Sequence, residues 1–176
     1  MDKYQYFKLG DLIELKKGQR AESKEDGKYP IFGAGEKESG YSDTWNNDGK
    51  ITITKKGTVG KIYKREFKHC VSEASLILEI KNQAILEDYL YEWLKNKEYL
   101  IMQLKTPALI AELDEKAFLN LVIKVPNLER QWKVVYTLKS YRYVLLEQEK
   151  ILRKQMENLE KCKNGLLDEI MMKLRS

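Results

Sequence analysis

The chain has 176 residues and a mass of 20.8 kDa, room for one ordinary domain plus an appendage and too little for a large multidomain enzyme. Its 32 Lys+Arg against 27 Asp+Glu give a net charge of +5 and a pI of about 9.0, which excludes an acidic tail protein and favours a polyanionic partner only weakly. Three prolines, ten glycines, 11 Tyr, 4 Phe and 3 Trp exclude a collagen-like or low-complexity chain and supply apolar mass for a core. In chain order, Tyr29-Pro30-Ile31-Phe32 is the first short run of strand formers. Asn46-Asn47-Asp48-Gly49 is a turn signal, and Lys50-Ile51-Thr52-Ile53-Thr54 behind it alternates, placing Ile51 and Ile53 on one strand face. Lys61-Ile62-Tyr63 and Leu76-Ile77-Leu78-Glu79-Ile80 are further strands, separated by Gly, Ser and charge. From Leu86 the period changes: Leu90, Trp93, Leu94, Ile101 and Leu104 follow 3.6-residue spacing, predicting an amphipathic helix that Pro107 ends. A short helix over 114–119 and a last strand, Leu121-Val122-Ile123-Lys124-Val125, lead to Pro126-Asn127, where Asn127 can cap a helix starting just beyond it.

The next element is the longest. No proline occurs between 129 and 174, and Leu138, Leu145, Leu152, Leu159 and Leu166 recur every seventh residue. Unbroken, the helix is about 65 to 70 Å long at 1.5 Å per residue, whereas a domain of the preceding length has a radius of gyration near 14 Å. A stripe that long outruns the cover of its own domain and calls for a second helix, so these five leucines are the expected dimerisation residues. The companion column, Tyr141, Gln148, Gln155, Cys162 and Glu169, is mostly polar and leaves a narrow seam. Asn164-Gly165 is a candidate kink or end. Charge divides the chain at the same place: 21 basic and 20 acidic residues over 1–128, 11 and 7 over 129–176. The predicted fold class is α+β, a β-rich domain over 1–128 followed by a long helix over 129–176 that forms an antiparallel coiled coil in a dimer.

Several chemistries drop out. Cys70, Cys162 and the single His69 can build neither a disulfide framework nor a four-ligand zinc site; no metal and no cofactor is expected. The first six residues lead into no apolar run, and nothing approaches a membrane span, so the cytoplasm is the expected compartment and no membrane contact is expected. Gly33-Ala34-Gly35 opens a dinucleotide pattern that fails at Glu38, and Lys55-Lys56-Gly57-Thr58 holds the letters of a phosphate loop in the wrong order; both read as turns. His69-Cys70 lacks a base in register and reads as a packed or surface pair. Neither an Asn-Pro-Pro-Phe/Tyr methyltransferase tetrapeptide nor a nuclease-like acidic cluster occurs. No catalytic residue is nominated, and a non-enzymatic role is expected.

Residues 50–68 hold Lys50, Lys55, Lys56, Lys61, Lys64, Arg65 and Lys68 against the single acid Glu66. Ammonium groups, the Thr58 hydroxyl and close-approach glycines suit phosphate oxygens, although a solvated hairpin is the plainer reading of composition alone. Gln19-Arg20 offers side chains able to read base edges, and Tyr41 and Tyr63 can lie against sugar or base.

The order of short motifs carries more than any one of them. Phe7-Lys8-Leu9-Gly10-Asp11-Leu12, Tyr29-Pro30-Ile31-Phe32-Gly33-Ala34, Gly40-Tyr41-Ser42-Asp43, Ile51 through Gly60, Asp88-Tyr89-Leu90-Tyr91, and Val122-Ile123-Lys124-Val125-Pro126 before a long helix resemble one target recognition domain plus one conserved helix of the specificity subunit of type I restriction-modification systems. That resemblance implies a non-catalytic subunit reading double-stranded DNA, with methyltransferase subunits and, where present, a restriction subunit as partners. It also implies DNA contact by the loops holding Gln19 and Arg20, Lys37 and Tyr41, and Lys55, Lys56 and Thr58; Lys61, Lys64 and Arg65 are added from the basic run itself, as residues expected to position the phosphate backbone. Two departures stand out. The family pairs two recognition domains with two helices where this chain has one of each, and its frequent acidic-Gln entry into the helix reads Arg130-Gln131 here. A half-length form rebuilds the architecture by homodimerising about a two-fold axis and then reads a split inverted repeat. The rival expectation is a coiled-coil adaptor descended from such a subunit that no longer reads DNA.

Overall fold

The computed structural model describes residues 4–174, in two compact units, 1–135 and 136–176. In the first unit, β1 (Gln5–Lys8) runs into a one-turn helix α1 (Leu9–Leu12), where the Asp11 carboxylate accepts the Lys8 N–H at 3.2 Å. Then come β2 (Ile13–Lys17), β3 (Tyr29–Phe32), β4 (Glu38–Ser42), β5 (Asn47–Asp48), β6 (Ile51–Thr54), β7 (Ile62–Lys64), β8 (Lys68–Val71) and β9 (Ser75–Ile80). Helices α2 (Glu87–Ile101) and α3 (Glu115–Leu119), strand β10 (Val122–Val125) and helix α4 (Leu128–Lys173) complete the order. One four-stranded sheet has the order β2-β9-β6-β7 and a second β4-β3-β8-β5, while β1 pairs with β10. Every pairing is antiparallel except β3 with β8. The core gathers Leu9 and Leu12, the inward residues of β6 and β9, Leu90 and Leu94 of α2, and Phe118 of α3.

The expected strands at 29–32, 50–54, 61–63, 76–80 and 121–125 form, within a residue at each end, as β3, β6, β7, β9 and β10, and the sequence reading passed over β1, β2, β4, β5 and β8. All four positions of β6 are buried rather than one face. As an interior strand it is flanked by β9 and β7, and its hydroxyls are satisfied locally: Thr52 donates to the Tyr63 carbonyl at 3.4 Å, and Thr54 donates to the Thr58 carbonyl and accepts the Lys61 N–H. The expected turn at 46–49 keeps its bend at Gly49, with φ of +76°, but Asn47 and Asp48 also pair with His69 and Lys68.

Helix α2 stops at Ile101, short of Pro107. The Gly60 backbone lies so close to Met102 that an added Cβ would stand 2.8 Å from its Cα, and beyond it the chain bends into a bridge between Lys105 and Leu113. Asp114 caps α3 by accepting the Ala117 N–H at 2.9 Å. Asn127 caps α4 by accepting the Arg130 N–H at 2.9 Å. The second unit is the remainder of α4. It passes through Asn164-Gly165 without ending; the helix has 46 residues, about 69 Å at 1.5 Å each. From Tyr136 to Leu174 every residue is exposed apart from the half-exposed Glu147, and Leu138, Leu145, Leu152, Leu159 and Leu166 are 40, 64, 59, 69 and 60% exposed. No helix among the described residues is long and apolar enough to cross a membrane.

Candidate nucleic-acid interface

The turn joining β8 to β9 organises the loops that the sequence marks for DNA. Gly18 donates its N–H to the Ser75 carbonyl at 3.1 Å, and Gln19 donates to Val71 at 2.9 Å. A Cβ on Gly18 would stand 2.1 Å from the Ser72 carbonyl oxygen, so only glycine permits the contact that fixes the start of the 19–21 loop. From the third strand, Phe32 accepts the Ser72 N–H, and the Ser75 hydroxyl donates to Gly33, both at 2.9 Å. From the other side, Lys55 and Lys56 donate their backbone N–H groups to Ala74 at 2.8 and 3.0 Å. The Thr58 hydroxyl donates to the Ala34 carbonyl, tying the 55–60 loop to the loop after β3.

Arg20, Ser23, Ser39, Lys56 and Ser72 consequently line one open cleft of about 450 Å³. Gln19 and Arg20 also line a neighbouring cleft of about 280 Å³ with Thr44, Trp45, Asn46 and Cys70. Gln19, Arg20, Lys37, Tyr41, Lys56 and Thr58 are exposed, whereas Lys55, Lys61, Lys64 and Arg65 are half-buried. The sequence reading missed Trp45 and the turn residues Ser72 and Glu73. A tryptophan amid Ser, Asp, Thr and Asn was a usable signal, while nothing in the composition of Ser72-Glu73 marks it.

Five of the seven basic residues of 50–68 meet acids from elsewhere in three dimensions. Lys50 meets Glu79 at 2.7 Å, Lys55 meets Glu115 at 2.8 Å and Glu112 at 3.5 Å, Lys56 meets Glu112 at 3.3 Å, Lys61 meets Glu98 at 3.7 Å, and Lys64 pairs with Asp88. The bond to Glu115 outweighs burial and holds the Lys55 ammonium above its ordinary pKa. Burial presses Glu98 upward, but the Ile62 N–H and the Lys95 and Lys61 ammoniums overcome it and leave the carboxyl below its usual value. Arg65 lies 3.7 Å over the Phe32 ring and 4.6 Å over that of Tyr63, and donates to the Gly35 and Glu36 carbonyls at 3.4 Å. It braces the loop before Lys37, and burial lowers its pKa.

His69 and Cys70 are both buried. His69 Nδ1 donates to the Phe67 carbonyl at 2.7 Å and Nε2 accepts from Asn47 at 3.1 Å, the roles that fit a neutral ring; burial depresses its pKa. Burial likewise raises the Cys70 thiol, which donates to the Thr44 carbonyl. The Cys70 thiol supports the 44–46 loop directly, and the His69 ring supports Asn47 just beyond it. Among the described residues no cluster of three or more His, Cys, Asp or Glu is placed to hold a metal ion.

Comparison with known proteins gives consistent results. A family model described as "Type I restriction modification DNA specificity domain" matches residues 1–158. The putative type I specificity subunit S.MpnORF507P of Mycoplasma pneumoniae is 27% identical over 150 residues, covering 77% of this chain and 39% of the relative. The type I restriction enzyme MjaVIII specificity subunit of Methanocaldococcus jannaschii is 23% identical over 184 residues, covering 97% and 42%. Among solved structures, the S subunit of a type I restriction-modification system from M. genitalium superposes with a TM-score of 0.72 at 22% identity, covering 81% of this chain and 40% of that one. The HsdS subunit from Thermoanaerobacter tengcongensis gives 0.63 at 18%, covering 84% and 39%. These two likenesses establish the fold, and the chain spans about two fifths of the length of the relatives it matches.

Proposed function

The chain belongs to the type I restriction modification DNA specificity domain family, and from that premise we propose that it is a non-catalytic DNA sequence-recognition subunit that works as a homodimer. The domain over 1–128 reads a half-site. The helix over 129–176 pairs antiparallel with a second copy through Leu138, Leu145, Leu152, Leu159 and Leu166, so that two identical readers address a split inverted repeat in double-stranded DNA. Methyltransferase subunits, and a restriction subunit where one is present, dock on this particle in the cytoplasm. The observation that carries the reading is the convergence of the 19–21 loop, the Gly33-Ala34 stretch after β3 and the 55–58 loop on the turn after β8, which supports a single recognition surface built from three separate stretches of chain. Exposed Arg20 and Lys56 share one cleft there, suited to backbone phosphates and base edges.

Footprinting on a duplex obtained by binding selection tests it. Two protected segments related by inversion, with retention that falls steeply as salt rises, are expected; one contiguous footprint or salt-independent retention overturns the reading. The ion pairing of Lys50, Lys55, Lys56, Lys61 and Lys64 favours one rival, a coiled-coil adaptor without DNA affinity. Gel filtration separates the two, since both run as dimers and only the recognition subunit shifts with mixed-sequence duplex.

A further inference from the structure

Trp45 contributes nothing to the core: it is 43% exposed, in the loop between β4 and β5. Yet that loop is held firmly. Asn46 donates its amide to the Val71 carbonyl at 2.9 Å and accepts the Val71 N–H at 2.7 Å, and its own backbone N–H bonds His69 at 3.2 Å. On the other side, the Thr44 N–H is tied to the Ser42 hydroxyl at 3.3 Å. A large indole is therefore displayed in the open by a rigid frame, the arrangement expected of a contact residue rather than of stray surface apolarity. The Lys68 ammonium lies 4.6 Å from the centre of its ring, which adds a fixed cation at the same place.

What shares the cleft defines the ligand. Trp45 lines it together with Gln19 and Arg20. On the major-groove edge of an A·T pair, adenine N6 and N7 match a carboxamide bidentately, and the thymine C5-methyl on the same edge takes apolar contact. The carboxamide selects the adenine edge and the apolar contact selects the thymine methyl, so the two in one cleft address both ends of the same pair. Resting on the DNA-recognition reading above, we propose that the cleft between the 19–21 and 44–46 loops is a base-reading subsite for an A·T pair. Gln19 bonds the adenine edge, the Trp45 indole packs on the thymine methyl, and Lys68 takes an adjoining phosphate. Arg20, which also lines the neighbouring cleft with Lys56, serves the next step of the duplex.

The test is uracil interference with the full chain. Duplexes obtained by binding selection are prepared with thymine replaced sparsely by deoxyuridine, which removes only the methyl group. Bound and free fractions are then separated and cleaved at uracil. The expected result is depletion of uracil from the bound fraction at a defined thymine in each half-site. Trp45→Ala should lose that depletion and bind roughly tenfold more weakly with an unchanged salt dependence, and Trp45→Phe should keep most of both. A uracil pattern identical in the wild type and Trp45→Ala, or no uracil-sensitive thymine in a duplex the wild type does bind, overturns the subsite and leaves the DNA-recognition reading standing. Failure of the wild type to select any duplex sinks that reading and the subsite with it.

Discussion

At the scale of single residues, Gln131 shows how a polar side chain can lock the entry of a helix. It is fully buried, its carboxamide oxygen accepts the Leu86 N–H at 2.8 Å, and its amide donates to the Ala84 and Pro126 carbonyls, each at 2.8 Å. Replacing it with leucine keeps the volume and strands one donor and two acceptors away from water, so Gln131→Leu should lower stability by about 3 kcal/mol, read as a lower urea midpoint by circular dichroism. Nothing in Arg130-Gln131 signals this role, because the partners come from 84–86 and 126, and their proximity exists only in the folded unit. His69 supplies a pH-dependent counterpart. Burial, reinforced by Arg65 and opposed by the Phe67 carbonyl, holds its folded pKa below the ordinary value of about 6.5. As the pH falls through that ordinary value, the unfolded chain takes up the proton first. The contribution of neutral His69 is therefore complete above about pH 6.5 and lost progressively below it. Urea midpoints at pH 7.5 and 5.5 should differ in the wild type and converge in His69→Gln. An equal difference in the variant would assign the loss to other groups.

At the scale of elements, the 55–60 loop separates two lysines that the sequence presents as equivalent. Lys55 has a side chain 17% exposed, paired with Glu115 and Glu112, while the Lys56 side chain is 51% exposed and lines the cleft with Arg20. Lys56→Ala should weaken binding to all duplexes alike and flatten the salt dependence by about one counterion. Lys55→Ala should instead lower stability by about 0.5 to 1 kcal/mol, measurable by thermal melting. Both substitutions acting identically on DNA binding would contradict this division. Their sequence neighbourhood is the same and both meet Glu112; what differs is that Lys55 also meets Glu115 and is largely buried. The same limit explains which elements were legible. Alternation in Ile51 to Thr54 and the 3.6 period from Leu86 mark strand and helix directly. The burial of Thr52 and Thr54 depends on hydroxyl partners at 58–63, and the early end of α2 depends on the Gly60 backbone packed at Met102. β2 was within reach, since Ile13-Glu14-Leu15-Lys16 alternates. β5, with two residues bridged to β8, carries no period to detect.

At the scale of the whole molecule, the proposed dimer makes helix length a determinant of the DNA site. The leucines repeat every seventh position from 138 to 166, so removing one complete heptad, residues 145–151, keeps the remaining stripe in phase and the seam intact. Each helix becomes shorter by seven residues, about 10.5 Å at 1.5 Å per residue. If two copies overlap antiparallel along the stripe, their recognition domains approach by the same distance, close to three base pairs at about 3.4 Å each. Deleting five residues instead turns the rest of the stripe by about 140° at 3.6 residues per turn, takes it off the shared face and should abolish the dimer. Binding selection with the heptad-deleted chain should therefore recover the wild-type half-sites, unchanged in sequence, with the gap between them reduced by about three base pairs. Sedimentation should find the heptad deletion dimeric and the five-residue deletion monomeric. An unchanged gap would mean that the distance between readers is set by something other than α4. Altered half-sites would mean that the 129–176 helix takes part in reading bases, contrary to its assignment as a spacer.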